Sequence, residues 1–233
     1  IGKLEDWEAL ASIMAATGKG PDFITIDGGE GGTGAAPPSF ADHVALPWIY
    51  AFSAIYKIFQ KHKLTDRVVF IGSGKLGFPA KAVMAFAMGV DCINVAREAM
   101  MSIGCIQAKL CHTNECPSGV ATQSQWKQRG IDVDTKSIRA HYYFKNFRKE
   151  LLEMTHAAGY EHPSQFTMDD VEMATGDKDM INDLSEIFKY EKEVVPFTDV
   201  NTLQSCPHLG GEYNYKEEKK VVKAAKKNEE VRY

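Results

Sequence analysis

The sequence is poor in several things, and each absence excludes a class of protein. No apolar run approaches the ~20 residues that cross a bilayer, and the first residues do not show a basic-then-apolar leader pattern. Positive charge is not in excess: 27 Lys and Arg stand against 31 Asp and Glu, a net charge of −4, and the basic residues are spread along the chain. A nucleic-acid footprint is therefore missing, and no nucleic-acid partner is expected. Cysteines are few and odd in number, five, with three of them clustered. That pattern fits a metal site in a reducing compartment better than a disulfide framework, so a soluble, cytoplasmic protein is expected. What remains is ordinary globular composition, 44% hydrophobic and 25% charged over 233 residues, enough for one substantial core or two small ones.

The pattern along the chain alternates. Glu5 to Thr17 places Trp7, Leu10, Ala11 and Met14 at helical spacing, with Gly18 as a stop. Phe23-Ile24-Thr25-Ile26 is a short apolar run that reads as a strand buried on both faces and ending at Asp27. Helical spacing returns from Leu46 to His62, followed by a strand from Arg67 to Ile71, a helix from Pro79 to Met88, a strand from Cys92 to Val95 and a helix from Glu98 to Leu110. Such alternation specifies an α/β protein with a parallel sheet. Polar or glycine-bearing turns follow Ile26, Ile71 and Val95 alike, which favours the (β/α)8 TIM barrel, with its shared central pocket, over a doubly wound sheet.

Ile1-Gly2-Lys3 reads as the tail of a further strand, making four where a barrel needs eight, so only the carboxyl-terminal half of a barrel is expected here. The first residue is Ile1 rather than Met, which fits a missing amino-terminal half. Beyond Gln123 the strand pattern fades, and Lys136 to Ala158 reads as a long amphipathic helix. The expected organisation is a barrel half over 1–123, a mostly helical C-terminal extension over 124–214 and a charged, solvated tail over 215–233.

Three segments carry chemistry. In Asp27-Gly28-Gly29-Glu30-Gly31-Gly32-Thr33-Gly34, glycine lets backbone amides approach a planar ring or an anion closely. Asp27 is a candidate for a ring-nitrogen or substrate contact, whereas Glu30 reads as solvent-facing. Gly72-Ser73-Gly74-Lys75 joins a strand to a helix, so its amides and Lys75 form an anion site suited to phosphate, although the spacing is not that of a Walker motif. Ala96-Arg97 follows the last strand, and Arg97 is either a second clamp on that phosphate or a surface ion pair.

Cys105-x5-Cys111-x4-Cys116-Pro117 is the most specific motif. Three thiolates so close, with proline after the last, match the crowded cysteine runs that wrap iron–sulfur clusters, and three ligands suit a 3Fe-4S cluster. The alternatives are structural zinc with His112 as fourth ligand, for which the spacing is wrong, and three buried structural thiols. Cys92 and Cys206 read as core or incidental.

Taken together, the glycine loop Asp27 to Pro37, Gly72-Ser73-Gly74-Lys75, Gly104-Cys105-Ile106-Gln107 and the run Cys111 to Gln123 resemble the FMN-binding domain of the glutamate synthase family, above all its stand-alone members. The likeness extends from Ile1 to about Gln123. It implies a (β/α)8 barrel that binds FMN at Asp27, Gly28, Gly29, Gly31, Gly32, Gly72, Ser73, Gly74, Lys75, Ala96 and Arg97, with Cys105, Cys111 and Cys116 as ligands of a 3Fe-4S cluster.

The implied reaction is reduction of the imine of 2-oxoglutarate and ammonia to glutamate. Electrons would come from ferredoxin or an NADPH-oxidising subunit, and the ammonia from free ammonia or glutamine. Phe78-Pro79 stands where the family has a Thr-Gly pair, and the family's substrate-facing lysine and acidic residue fall upstream of Ile1, so the catalytic residues are not identified here. Two alternatives stay open: a flavin and iron–sulfur oxidoreductase with a different substrate, and a non-catalytic electron-transfer module.

Overall fold

In the computed structural model, which describes residues 1–31, 36–42, 44–174 and 181–192, the first helix, α1, spans Leu4–Thr17. Glu5 and Asp6 in its first turn complement the helix dipole. Gly18, at φ 68°, closes it, and its N–H donates to the Met14 carbonyl at 2.9 Å. Ala11 and Met14 face the core.

Strands β1 (Phe23–Asp27), β2 (Val69–Ser73) and β3 (Cys92–Asn94) form a parallel sheet in the order β1-β2-β3. Thr25 lies opposite Ile71 and Ile71 opposite Cys92, while Asp27, Ser73 and Asn94 share the last rung. Among the described residues the parallel sheet has three strands rather than four, because Ile1-Gly2-Lys3 takes no part in it.

Helix α2 (Trp48–Lys61) connects β1 to β2, and α3 (Pro79–Ala87) connects β2 to β3. Trp48, Phe52, Ile55, Tyr56 and Phe59 of α2 are buried against the sheet, and Phe70 of β2 meets the rings of Phe52, Tyr56 and Phe59 at centroid distances of 6.0, 5.4 and 5.5 Å.

The sheet is covered on one side. Ile24, Ile26 and Phe70 point into the core, while Phe23 and Val69, on the opposite face, are 62% and 44% exposed. Within this chain β1 is therefore buried on one face, where the sequence suggested both. Strand side chains alternate between faces, and among the described residues nothing packs over the second one.

Helix α4 (Arg97–Ser102) is shorter than the expected Glu98 to Leu110, because Gly104, at φ 112°, turns the chain away into the cysteine loop. After the single turn α5 (Gln125–Gln128), the long helix α6 (Val133–Ala157) starts at Asp132, whose carboxylate accepts from the Thr135 amide. Leu151 of α6 joins Ala82, Val83 and Ala87 of α3 and Phe166 in a second small cluster.

A short antiparallel pair then follows, β4 (Glu172–Ala174) with β5 (Ile181–Asp183), where no strand is evident in the sequence. Helix α7 (Leu184–Phe188) leads into a strap fastened to α2 and α3. Tyr190 donates its hydroxyl proton to the Met88 carbonyl at 3.0 Å, and Lys192 donates to the carbonyls of Phe86, Ser164 and Phe166.

No helix among the described residues is long and apolar enough to cross a membrane. Gly32, Cys206 and the charged run 215–233 lie outside the described residues.

Candidate functional site

The loops after β1 and β2 are tied together at the carboxyl edge of the sheet. The Gly28 amide donates to the Ser73 carbonyl at 2.9 Å, extending the strand pairing into the loops, and the Gly29 amide donates to the Leu46 carbonyl at 2.7 Å. Trp48 explains much of the glycine density. A Cβ on Gly28 or Gly74 would stand 2.5 or 2.4 Å from the Trp48 Cβ, and one on Gly29 would stand 2.2 Å from the Ala45 carbonyl oxygen. At these positions glycine first allows the chain to fold onto itself. Gly31 differs, since a Cβ there would meet the Arg97 Nη2 at 3.0 Å. Asp27 and Ala96 are exposed at the rim, while Gly72 is buried beneath it.

Glu30 is not the solvent-facing residue expected from the sequence. Its Oε1 accepts from the Trp48 amide at 2.6 Å, across 18 residues. Helix α2 follows Pro47, a residue with no side-chain oxygen to cap it, and Glu30 supplies the missing acceptor. Glu30 Oε2 and Trp48 Nε1 are both buried without a hydrogen-bond partner, an unmet acceptor and an unmet donor beside the glycine loops. The proline at the cap position was the sequence clue that a carboxylate from elsewhere was needed.

Lys75, in the loop after β2, and Arg97, the first residue of α4, converge. Lys75 Nζ and Arg97 Nη2 each lie 3.4 Å from the same atom, Asp42 Oδ1. Burial alone would raise the Asp42 pKa, but Arg97, and then Lys75, outweigh it and hold the carboxyl below its usual value. Asp42 and Lys75 both sit at φ 55°. Two cations able to hold one anionic oxygen between them are suited to a phosphate, so the residues present fit a phosphate-bearing cofactor. Asp42 went unnoticed in the sequence because it lies 33 residues from Lys75 and 55 from Arg97.

The cysteines converge as well. Cys105, Cys111 and Cys116 line one pocket, whose other walls include Met100, Ile106, Leu110 and Val120. The loop that shapes it is pinned by Asn114, whose Oδ1 accepts from the Gln123 amide at 2.6 Å and from the Thr122 hydroxyl at 3.0 Å. Gly119, at φ 79°, is obligatory there, because a Cβ would fall 2.4 Å from the Lys127 carbonyl oxygen.

Cys116 is buried, which alone would push its thiol up. The Ser118 hydroxyl and the amides of Ala121, Ser118 and Val120 outweigh that and bring it down to about 7. The Cys105 sulfur accepts from the Gln107 amide at 3.4 Å. Amides aimed at sulfur stabilise thiolates and tune iron–sulfur potentials.

His112, the fourth ligand that zinc would need, does not line the pocket. No three His, Cys, Asp or Glu side chains among the described residues are grouped for a single ion. A cluster would place each thiolate on a different iron, so its ligands would stand around a volume rather than a point.

Residues 3–161 match a family model described as the conserved region in glutamate synthase. The chain belongs to the glutamate synthase family. It is 40% identical over 181 residues to a glutamate synthase large subunit-like protein, YerD, of Bacillus subtilis, an alignment covering 78% of this chain and 34% of that protein. It is 35% identical over 152 residues to a ferredoxin-dependent glutamate synthase of Pyropia yezoensis, covering 64% of this chain and 10% of that one. To an archaeal glutamate synthase [NADPH] of Methanocaldococcus jannaschii it is 33% identical over 138 residues, 59% of this chain and 27% of that protein. The chain thus spans about a third of the length of the first of these glutamate synthase relatives and a tenth of the second. All three cysteines and both cations lie within the matched region.

Proposed function

We propose that this chain is the carboxyl-terminal half of an FMN-binding (β/α)8 barrel with a 3Fe-4S cluster, acting in a glutamate synthase-type oxidoreductase that converts 2-oxoglutarate and ammonia to glutamate. The observation that carries the reading is one arrangement. Three cysteines line a single apolar pocket, and helix α4 belongs to both features: Arg97 of the Lys75–Arg97 pair is its first residue, and Met100, one turn further on, lines the pocket. The uncovered sheet face supports the barrel. Phe23, Val69 and Cys92, exposed here, are the side chains that a closing half would bury.

Bound at these loops, FMN supplies hydride chemistry and the cluster supplies single electrons. This chain's residues do the rest. Lys75 and Arg97 hold the phosphate by charge-assisted hydrogen bonds, with Gly31 leaving room for the Arg97 guanidinium. Gly72, Ser73 and Gly74 would form the phosphate turn, and Asp27, Gly28 and Gly29 the edge that faces the ring. Cys105, Cys111 and Cys116 ligate the three irons, and the amides around Cys116 favour its thiolate.

On this reading residues 1–123 belong to the barrel half, and the described residues 124–174 and 181–192 to an extension beyond it. The electron donor is a ferredoxin or an NADPH-oxidising subunit, consistent with relatives named for each. The test is anaerobic purification of the full-length protein, reduction, and addition of 2-oxoglutarate with ammonium. Return of the oxidised flavin spectrum with formation of glutamate is expected. An unchanged spectrum overturns the glutamate reaction, and absence of any flavin on denaturation overturns the cofactor.

A further inference from the structure

The cations assigned to the flavin phosphate already hold an anion. Asp42 Oδ1 stands 3.4 Å from Lys75 Nζ and 3.4 Å from Arg97 Nη2, so a single carboxylate oxygen sits where the two cations converge. Three side chains meet there, two from loops and Arg97 from the start of α4, each partly shielded: 21% of the Asp42 side chain, 35% of Lys75 and 29% of Arg97 is exposed. Asp42 reaches this position from a left-handed backbone, φ 55°, and Lys75 does the same from the other side. Non-glycine residues adopt that region at a cost, though aspartate tolerates it better than most, and the paired charges offset it.

We propose that Asp42 is a built-in competitor for the flavin phosphate, occupying the Lys75–Arg97 site until the cofactor displaces it. This rests on the reading of Lys75 and Arg97 as the phosphate clamp. A phosphate dianion brings more charge and more acceptor oxygens than one carboxylate, and like charges a few ångströms apart oppose each other, so both do not stay bound to the same two cations. Displacement turns the Asp42 carboxylate out of the site. The flavin-free protein thereby keeps its two cations in place with one of their two charges balanced, at the expense of affinity for the cofactor. The device discriminates among flavins, since a flavin lacking the phosphate has nothing with which to displace Asp42 and gains nothing from its removal.

The experiment uses full-length protein stripped of flavin and titrated with FMN and, separately, with riboflavin, the quenching of flavin fluorescence giving each dissociation constant. Asp42→Asn preserves shape and removes the charge, and Asp42→Ala removes the side chain altogether. Both variants are expected to bind FMN ~3- to 30-fold more tightly than the parent, the range set by two partly exposed ion pairs, with riboflavin affinity unchanged. Inorganic phosphate is expected to compete with FMN at lower concentration in Asp42→Asn than in the parent.

FMN affinity that is unchanged or weakened in both variants overturns the proposal, because Asp42 then supports the phosphate or ignores it. Lys75→Met and Arg97→Met separate the two readings. If they weaken FMN but not riboflavin, the phosphate clamp stands whatever Asp42 does. If they leave the FMN to riboflavin ratio unaltered, the clamp itself falls, and the proposal with it.

Discussion

Replacing Glu30 by alanine tests whether a loop carboxylate, 18 residues away in sequence, caps helix α2. In the intact chain Glu30 Oε1 takes the Trp48 amide at 2.6 Å, and Pro47 offers no side-chain alternative. Loss of a helix cap costs ~0.5–2 kcal/mol, and loss of a hydrogen bond to a charged group costs ~1.5–3 kcal/mol. Oε2, buried and unpartnered, reduces the net value of the residue, so ~1–2 kcal/mol is expected. For a chain of this size that lowers Tm by ~2–8 °C.

Glu30→Gln keeps an acceptor for the Trp48 amide and should lose less than half as much. Since Glu30 also fills the space against Gly28 and Gly74, Glu30→Ala should weaken FMN binding, whereas Glu30→Gln should leave most of it. The assay is thermal unfolding followed by circular dichroism, with flavin titration on the same samples. An alanine variant with unchanged Tm and unchanged FMN affinity would refute the capping role.

Cys111→Ser should abolish the cluster absorbance while leaving flavin content intact, whereas Cys92→Ser, on β3 and away from the pocket, should keep both; metal and flavin analysis of the two proteins checks this. Phe52→Ala removes a fully buried ring in contact with Trp48, Tyr56 and Phe70, and denaturant unfolding should show a loss of ~3–5 kcal/mol. Lys192→Met leaves the carbonyls of Phe86, Ser164 and Phe166 without their shared donor, and increased hydrogen exchange should follow in residues 184–192.

Burial, with the Glu98 charge beside it, pushes the Tyr143 phenol up to about 12. Its folded pKa thus exceeds the ~10 of an unfolded tyrosine, so the stability it contributes is complete below pH 10 and is lost as pH rises through 12. Tyr143→Phe, which also loses the bond to the Gly77 carbonyl, should flatten the decline in stability over that window.

The order of α1, the three parallel strands, α2, α3 and α6 was legible because each carries its own periodicity and stop residues, as Gly18 does for α1. The open face of β1 was not, since an apolar run such as Phe23 to Ile26 has the same composition whether or not a second layer covers it. Helix α4 was overextended because apolar residues continue past Gly104, where backbone geometry rather than hydrophobicity ends the helix. The antiparallel pair of β4 and β5 is only three residues long on each side, too short to display alternation.

In the site, the cysteine triplet and the Gly72–Lys75 turn stood out in the sequence because each is a local run of the chain, and the structure brings the three cysteines to one pocket. Glu30 and Asp42 did not, because their roles arise only when the loops following separate strands fold together. Trp48, whose bulk accounts for the glycines at 28, 72 and 74, escaped notice for the same reason.

The most direct test of the central claim is the metal content of the anaerobically purified full-length protein, measured for iron, acid-labile sulfide and zinc together. The arrangement of Cys105, Cys111 and Cys116 predicts iron and sulfide in a ratio of about three to four, with no zinc. One zinc per chain without sulfide, or neither metal, would contradict it.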